Sequence, residues 1–165
     1  IGNSKFGLVE TSEKERNEFS LKQGDILFVR SSVKPSGVGL TSLVREDIRD
    51  AVYSGFLIRL RLRDKNISSG FLKHYFHSDA FRSILLKKST ISANTNINQV
   101  ALTSLPIIVP SMGEQVYITA VLDDLEKKME LLTQKQKHFQ VLKRGLMQKL
   151  LTGEWRVKGD AEMAA

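Results

Sequence analysis

The chain has 165 residues, of which 41% are hydrophobic, and it carries a formal net charge of +7. This length allows one globular domain with an appended segment, and the apolar content is enough to bury a core. The chain contains no cysteine, which excludes disulfides and cysteine-ligated metal sites and favours a reducing cytoplasm. We expect neither a membrane span nor a signal peptide, because no apolar run approaches the roughly 20 residues that a span requires.

The positive charge is unevenly distributed along the chain. Residues 1–112 carry 16 Lys or Arg against 10 Asp or Glu, whereas residues 113–165 carry 9 against 8. A basic domain joined to a nearly neutral segment indicates a module that binds a polyanion. Because the chain begins at Ile1 rather than at methionine, we expect a fragment whose first domain is N-terminally incomplete.

Residues 1–112 are predicted to form a mixed α/β domain, so that the fold class is α+β. Turn signals such as "KQGD", "KPSG" and "RDKNISSG" separate the strand candidates, and Asp25 is assigned to the first of these turns. The predicted strands are Gly7 to Glu10, Asp25 to Arg30, Val38 to Val44, Gly55 to Arg63 and Ile107 to Val109.

The stretch "FLIRLRLR" alternates apolar residues with arginines. In a strand, one face would carry Ile58, Leu60 and Leu62, and the other Arg59, Arg61 and Arg63. Such a row of like charges needs a partner. We predict that the arginines hold DNA phosphates, since loops rather than rigid strands reach base edges. The alternative is internal pairing, with Glu46, Asp47 and Asp50 as candidate partners.

Two short helices are predicted after the arginine strand. "GFLKHYFH" places Phe71, Leu72, Tyr75 and Phe76 on one side. Ser78 then offers an N-cap for "DAFRSILLKK", in which Phe81, Ile84 and Leu85 are predicted to be buried. The polar stretch "STISANTNINQ" is predicted to be an exposed loop.

From Glu114 to Leu151 the sequence predicts one long helix. A helix of this length measures about 57 Å, too long to be covered by a domain of this size. Apolar residues alternate four and three apart, which is the a/d pattern of a coiled coil. The helix-pairing residues are Ile118, Leu122, Leu125, Met129, Leu132, Gln136, Phe139, Lys143, Leu146 and Leu150. The alternative is an amphipathic helix folded back on its own domain.

The charges of this helix are segregated. Its five acidic residues lie between Glu114 and Glu130, and Lys127 and Lys128 sit near the middle. The bases Lys135, Lys137, Lys143, Arg144 and Lys149 occupy its second half. An antiparallel partner would set acidic half against basic half, so we predict antiparallel pairing. Gly153 is predicted as the C-terminal cap and residues 158–165 as a loose tail. The predicted domains are therefore 1–112, the helix 113–152 and the tail 153–165.

Patterns for catalysis and cofactors are weak. The sequence contains no Walker-type phosphate loop, dinucleotide fingerprint or Asn-Pro-Pro-aromatic methyltransferase motif. His74 and His77 are a possible metal pair without a third ligand nearby. Asp25 and Asp79 lack the Glu-x-Lys that nuclease carboxylates would need. We therefore expect no catalysis, no cofactor and no metal.

Basic and polar loops are the stronger functional signal. Arginine can read guanine, asparagine can read adenine, and Ser and Lys hold phosphates. Two loops with the arginine strand between them favour nucleic-acid binding. The predicted DNA-binding residues are Arg30, Ser31, Ser32, Lys34 and Ser36 in the first loop, Lys87, Lys88, Ser89, Thr90, Asn94, Thr95 and Asn96 in the second, and Arg59, Arg61 and Arg63 between them.

The order of these segments resembles one half of a type I restriction–modification specificity subunit, from about Leu21 to Val157. The segments that carry the resemblance are "LKQGDILFVRSS", "GVGLTSLV", "YSGFLIRLRLR", "FLKHYFHSDAFRSIL", "NTNINQVALTSLPIIVPSMGEQ" and "LKRGLMQKLLTGEWRV". Such subunits carry two target recognition domains, each followed by a long helix, and the two helices pack antiparallel. The chain departs from the family in having one recognition domain, a short part before "GDILFVR" and one proline in "VPSMGEQ".

The resemblance implies a bacterial protein that catalyses no reaction itself. It would recognise double-stranded DNA for methyltransferase subunits, which bind S-adenosylmethionine, and through them for a restriction subunit. A second recognition half or a second copy would pair with the long helix. The residues alone also leave open a non-catalytic coiled-coil adaptor whose basic domain binds RNA or an acidic protein, and a nuclease or methyltransferase with an unrecognised site.

Overall fold

The computed structural model describes residues 7–48 and 50–157, which fall into two compact units, one up to Ala120 and one from Val121 on. The fold is α+β, as predicted. In chain order the elements are α1 (Glu13–Phe19), β1 (Ile26–Val29), β2 (Ser31–Ser32), a 3₁₀ turn (Pro35–Gly37), β3 (Thr41–Leu43), β4 (Leu57–Leu60), α2 (Ser69–His77), α3 (Asp79–Lys88), β5 (Thr90–Ile91), β6 (Thr95–Asn96), α4 (Gln99–Thr103) and α5 (Met112–Leu151).

The first sheet is antiparallel, in the order β3-β1-β4. Its central strand β1 is apolar throughout because both of its faces are covered. Ile26 and Phe28 belong to the larger core cluster with residues of α2 and α3, whereas Leu27 belongs to a second cluster with Leu21 and Val44. Alternation along the strand sends successive side chains to these two clusters.

Helices α2 and α3 close the larger core. Ser78 accepts a hydrogen bond from the backbone N–H of Phe81 and so caps α3, as predicted. The buried set is close to the predicted one, with Phe71, Leu72 and Phe76 from α2 and Phe81 and Leu85 from α3. The prediction for Ile84 is wrong, since this side chain is 40% exposed; it lies on the side of α3 away from the core.

A second, smaller sheet has the order β2-β6-β5 and is also antiparallel. The stretch predicted as an exposed loop therefore contains two short strands, and Thr95 and Ile97 within it are buried. Asn98 then caps α4 by accepting a hydrogen bond from Ala101 N. These strands were not predicted because the stretch is polar and each strand is only two residues long.

Helix α5 spans 40 residues, which confirms the predicted long helix. Ser111 and Glu114 form a reciprocal cap at its start, and the hydrogen bonds from the Ser111 side chain and backbone lower the pKa of Glu114. At its end Gly153 has φ +76°, the left-handed geometry of the predicted glycine cap. The predicted loose tail 158–165 lies outside the described residues.

The first turns of α5 belong to the first unit. The side-chain amide of Gln115 is fully buried; its oxygen accepts from Ser68 N at 2.8 Å and its nitrogen donates to the carbonyls of Asn66 and Pro110. Ile118 packs against the larger core. It is therefore used inside the first unit rather than left free for pairing.

Two predicted strands are wrong. Residues 7–10 form no strand, and Leu8 among them is fully exposed. Residues 107–109 are also irregular, because Pro106 and Pro110 flank them and proline cannot donate to a strand ladder. The remaining predicted strands are confirmed but shorter; β4, for example, ends at Leu60.

Candidate nucleic-acid interface

The small sheet joins the two predicted DNA-binding loops. β6 pairs with β2 on one side, matching Ser31 with Asn96, and with β5 on the other, matching Thr90 with Asn96. The backbone N–H of Ile97 also donates to the carbonyl of Arg30 at 2.9 Å. Residues 30–36 and 87–96, called the loop surface below, are therefore neighbours in space although they are more than 50 positions apart in sequence.

A row of polar side chains crosses this sheet. Ser31, Asn96 and Thr90 are register partners, so they lie on the same face. The Asn96 side-chain nitrogen donates to the carbonyl of Asn94 at 3.0 Å, which holds the amide in place while its oxygen stays available as an acceptor. Thr95 is buried, so it fits the role of a core residue better than that of a DNA contact.

The ends of the loop surface carry its exposed charges. Arg30, Lys34, Lys87 and Lys88 are all solvent-exposed, as is Ser36. No acidic residue occurs within residues 30–36 or 87–96. Cations without interleaved carboxylates attract phosphates, and exposed loops can follow the shape of a duplex.

The arginine face of β4 is directed into the protein at Arg61. Its Nε and Nη2 each lie 2.7 Å from an oxygen of Asp25, and Nη2 also donates to the carbonyl of Ser20 at 3.0 Å. Asp25 is 1% exposed. The structure thus favours the internal alternative, with a different partner from those expected, since Asp47 accepts from Gln23 N instead.

Arg59 has a similar internal environment. Its Nη1 donates to the Ser20 carbonyl at 2.6 Å, and its guanidinium lies 5.3 Å from the ring centroid of Tyr53. A phosphate contact is therefore not proposed for Arg59 or Arg61. Arg63 is exposed beyond the end of the strand, and its contact with DNA stays a prediction.

The environment of Asp25 determines its charge. Burial alone would raise its pKa, but the hydrogen bonds from Arg61 and from the backbone N–H of Lys22, together with the charges of Arg61 and Arg59, lower the pKa below its ordinary value. The carboxylate therefore stays ionised and cross-links the turn before β1 to β4. Asp25 lies in the predicted turn, where Gly24 has φ +86°.

Arg82 of α3 holds a loop of the site but is not among the residues predicted from the sequence. One of its guanidinium nitrogens donates to the carbonyl of Ser36 at 2.8 Å, and the other donates to the carbonyl of Val38. The available signal was an arginine directly after the predicted core residue Phe81. The pairing with the 3₁₀ turn could not be read from the sequence because the two segments are more than 40 positions apart.

A cleft of about 610 Å³ lies against β4 in the first unit. Its lining is mostly apolar, and its polar contributors are arginines with Gln99 and Thr103. The described lining residues include no carboxylate or imidazole. This cleft therefore offers no evident general base.

His77, one of the two histidines considered as metal ligands, has its Nδ1 2.7 Å from the Lys73 carbonyl, as expected for an N–H donor within its helix.

The predicted pairing residues of the second unit are largely solvent-facing. Leu125, Met129, Leu132 and Phe139 are between 50% and 68% exposed. Shallow grooves beside Phe139 are lined by other pairing residues, among them Gln136, Lys143, Leu146 and Leu150. Leu122 is half-buried.

Among the described residues, no helix combines the length and the apolar composition that a membrane span requires.

Comparison with known proteins identifies the family. Residues 2–140 match the model of the type I restriction modification DNA specificity domain. The chain is 29% identical over 169 residues to the type I restriction enzyme StySPI specificity subunit of Salmonella potsdam, covering 96% of this chain and 36% of that protein. It is 28% identical over 119 residues to the type I restriction enzyme EcoKI specificity subunit of Escherichia coli strain K12, covering 71% of this chain and 25% of that protein.

The chain thus spans about a third or less of the length of these curated relatives. The family match, in contrast, covers most of the chain and includes the loop surface, the Asp25–Arg61 pair and the first part of α5. On this ground the protein belongs to the family of type I restriction modification DNA specificity domains.

Proposed function

We propose that this protein recognises a specific sequence of double-stranded DNA on behalf of a type I restriction–modification complex. The observation that carries the proposal is the juxtaposition of two polar, basic loops by the β2-β6-β5 sheet in a chain of this family. Such a surface combines phosphate-binding cations with the Asn, Ser and Thr side chains that read base edges.

Within this proposal the exposed residues divide into two roles. Lys34, Lys87 and Lys88 hold phosphates, whereas Arg30 and Asn96 read bases. A flexible lysine serves a phosphate as a point charge, while arginine and asparagine can form paired hydrogen bonds to guanine and adenine. Asn96 is supported by its fixed amide, and Arg30 by its position where β1 passes into β2.

The chemistry is assigned to other subunits. The chain would select the DNA site, and methyltransferase subunits and, through them, a restriction subunit would act on it. The proposed domains are recognition by residues 1–112 and pairing by the helix 113–152, with either a second recognition half or a second copy as the partner.

Binding to a random-sequence duplex pool tests the proposal. The full chain should enrich one sequence, and its affinity for that duplex should exceed its affinity for a scrambled duplex by at least about a thousandfold at physiological salt. Equal affinity for all duplexes, or a preference for RNA or an acidic protein, would contradict it.

Arg30→Ala provides the residue-level test. It should cost about 1–3 kcal/mol and relax the preference at one position if Arg30 reads a base. Arg16→Ala is the matched control, because Arg16 is an exposed arginine of α1 outside the loop surface. Loss of affinity in both variants without any change in preferred sequence would assign Arg30 to a general charge effect.

A further inference from the structure

The turn that leaves the loop surface is bound to α3 by one side chain. Arg82 donates to the carbonyls of both Ser36 and Val38 with different nitrogens of its guanidinium group. These carbonyls lie at the end of the 3₁₀ turn Pro35–Gly37, where the backbone leaves regular hydrogen bonding. A planar fork can bridge two such acceptors, which a single ammonium does less well.

The same turn has no space to move towards its neighbours. A Cβ added to Gly39, which has φ +66°, would lie 2.5 Å from a methyl carbon of Leu85. A Cβ on Gly37 would lie 2.2 Å from the hydroxyl oxygen of Ser32. The turn is therefore packed against α3 at one glycine and against β2 at the other, and Val38 between them is fully buried.

Arg82 itself is half-buried, and this burial lowers its pKa below the ordinary value for arginine. The guanidinium stays charged at neutral pH because arginine titrates far above it. A partly desolvated cation makes stronger hydrogen bonds than one in water. Its bond to the Val38 carbonyl is partly buried, whereas its bond to the Ser36 carbonyl is exposed, so the bond to Val38 holds the turn more firmly than an exposed contact would.

We propose that Arg82 is a positioning residue for target choice, which fixes residues 34–38 in one conformation and so presents the loop surface to DNA in a single geometry. This inference rests on the proposed function. Base reading requires hydrogen bonds of defined length and angle, whereas phosphate attraction depends mainly on the number of charges. A loosened turn must also be ordered at each binding event, which lowers affinity for the correct sequence most.

The test compares Arg82→Ala and Arg82→Lys in the full chain. The probes are a duplex enriched from the random pool by the unaltered protein and a scrambled duplex of the same composition. Arg82→Ala should reduce the ratio of the two affinities at least about tenfold, the scale of one base contact, while scrambled-duplex affinity changes less than about threefold. The affinity ratio of Arg82→Lys should lie between those of the unaltered protein and Arg82→Ala, because Lys keeps the charge but not the planar, two-pronged guanidinium group.

Two controls separate positioning from charge loss and from unfolding. Lys65→Ala removes one exposed positive charge outside the loop surface and should leave the ratio unchanged. Hydrogen exchange should accelerate in Arg82→Ala at the amides of Gly37 and Gly39, which donate to Lys34 and Val29 carbonyls, while the buried strand amide of Phe28 keeps its protection.

The outcomes distinguish this inference from the proposed function. If the unaltered chain binds all duplexes alike, the proposed function fails and the inference fails with it. If the chain discriminates and Arg82→Ala discriminates equally well, the inference alone is wrong. It is also wrong if the ratio falls only together with the protection of Phe28, since Arg82 would then stabilise the whole unit rather than position the turn.

Discussion

The two units of the chain differ in how far their apolar residues are exposed to solvent. Up to Ala120, β1 is covered on both faces, and Phe28 and Phe76 are buried in the larger core. From Val121 on, residues such as Met129 and Leu132 are about two-thirds exposed. The first unit completes its own core and presents polar loops, whereas the second is a helix whose apolar residues remain to be covered.

This difference indicates how each unit acts. Helices in proteins gain most of their stability by packing an apolar face, and intrinsic propensity contributes little. The exposed apolar residues of the second unit therefore fit the proposed pairing with another helix, whereas the first unit buries its own core. Segregated charge along α5 favours an antiparallel helix as that partner.

The largest effect is expected at the exposed pairing residues. Changing both Leu125 and Leu132 to Asp should weaken pairing by more than about 3 kcal/mol, over a hundredfold, because two apolar side chains are lost and two charges are added. Sedimentation would show monomers, with the thermal melt of the first unit unchanged. Leu131→Asp is the matched control, since Leu131 is equally exposed but lies off the four-three spacing. If the double substitution left the pairing constant unchanged, the assignment of these residues to the pairing surface would be wrong.

The next effect concerns the internal pair of the first unit. Arg61→Ala leaves the buried Asp25 carboxylate without its main partner and should cost about 3 kcal/mol, a fall in Tm on the order of 10 °C. Arg61→Lys should lower the free energy of unfolding by a smaller but measurable amount, because lysine cannot form the two-pronged contact with the carboxylate. Arg63→Ala, at an exposed position two residues on, should change Tm little. A normal Tm for Arg61→Ala combined with weaker DNA binding would instead place Arg61 at the DNA.

A smaller effect is expected from pH. The folded state lowers the pKa of Asp25, so the ionised pair stabilises the fold fully above the ordinary aspartate pKa of about 4. This contribution is lost as pH falls through the lower folded-state value. In urea melts, Asp25→Asn should be less stable than the unaltered protein at pH 7, and the gap should narrow below about pH 4. A constant gap across this range would show that the carboxylate charge contributes nothing.

The smallest effect is expected at the loop surface. Lys34→Ala should weaken binding to all duplexes alike, by about 1 kcal/mol or less, and reduce the salt slope by about 0.9 if Lys34 neutralises one phosphate. Fluorescence anisotropy at several salt concentrations would measure this, with Lys14→Ala, in the exposed α1, as the control. A change in preferred sequence without a change in slope would make Lys34 a reader rather than a phosphate contact.

Prediction from sequence succeeded where one local pattern repeats. The long helix, its glycine cap and the N-cap at Ser78 depend on neighbours within about four positions. It failed for the residues 7–10 and 107–109, because apolar residues alone do not make a strand when no other strand pairs with them. It also did not identify the partner of Arg61, because Asp25 lies 36 positions away in sequence.

The sequence by itself determined the fold class, the long helix with its exposed four-three spacing, and the two polar loops as candidates for DNA contact, because periodicity, charge and turn residues are local properties. Tertiary structure alone decided that the loops meet across the β2-β6-β5 sheet, that Arg61 pairs with Asp25, and that Arg82 holds the turn at Ser36 and Val38. Each of these contacts joins distant segments, and their pairing is set by which surfaces the core brings together.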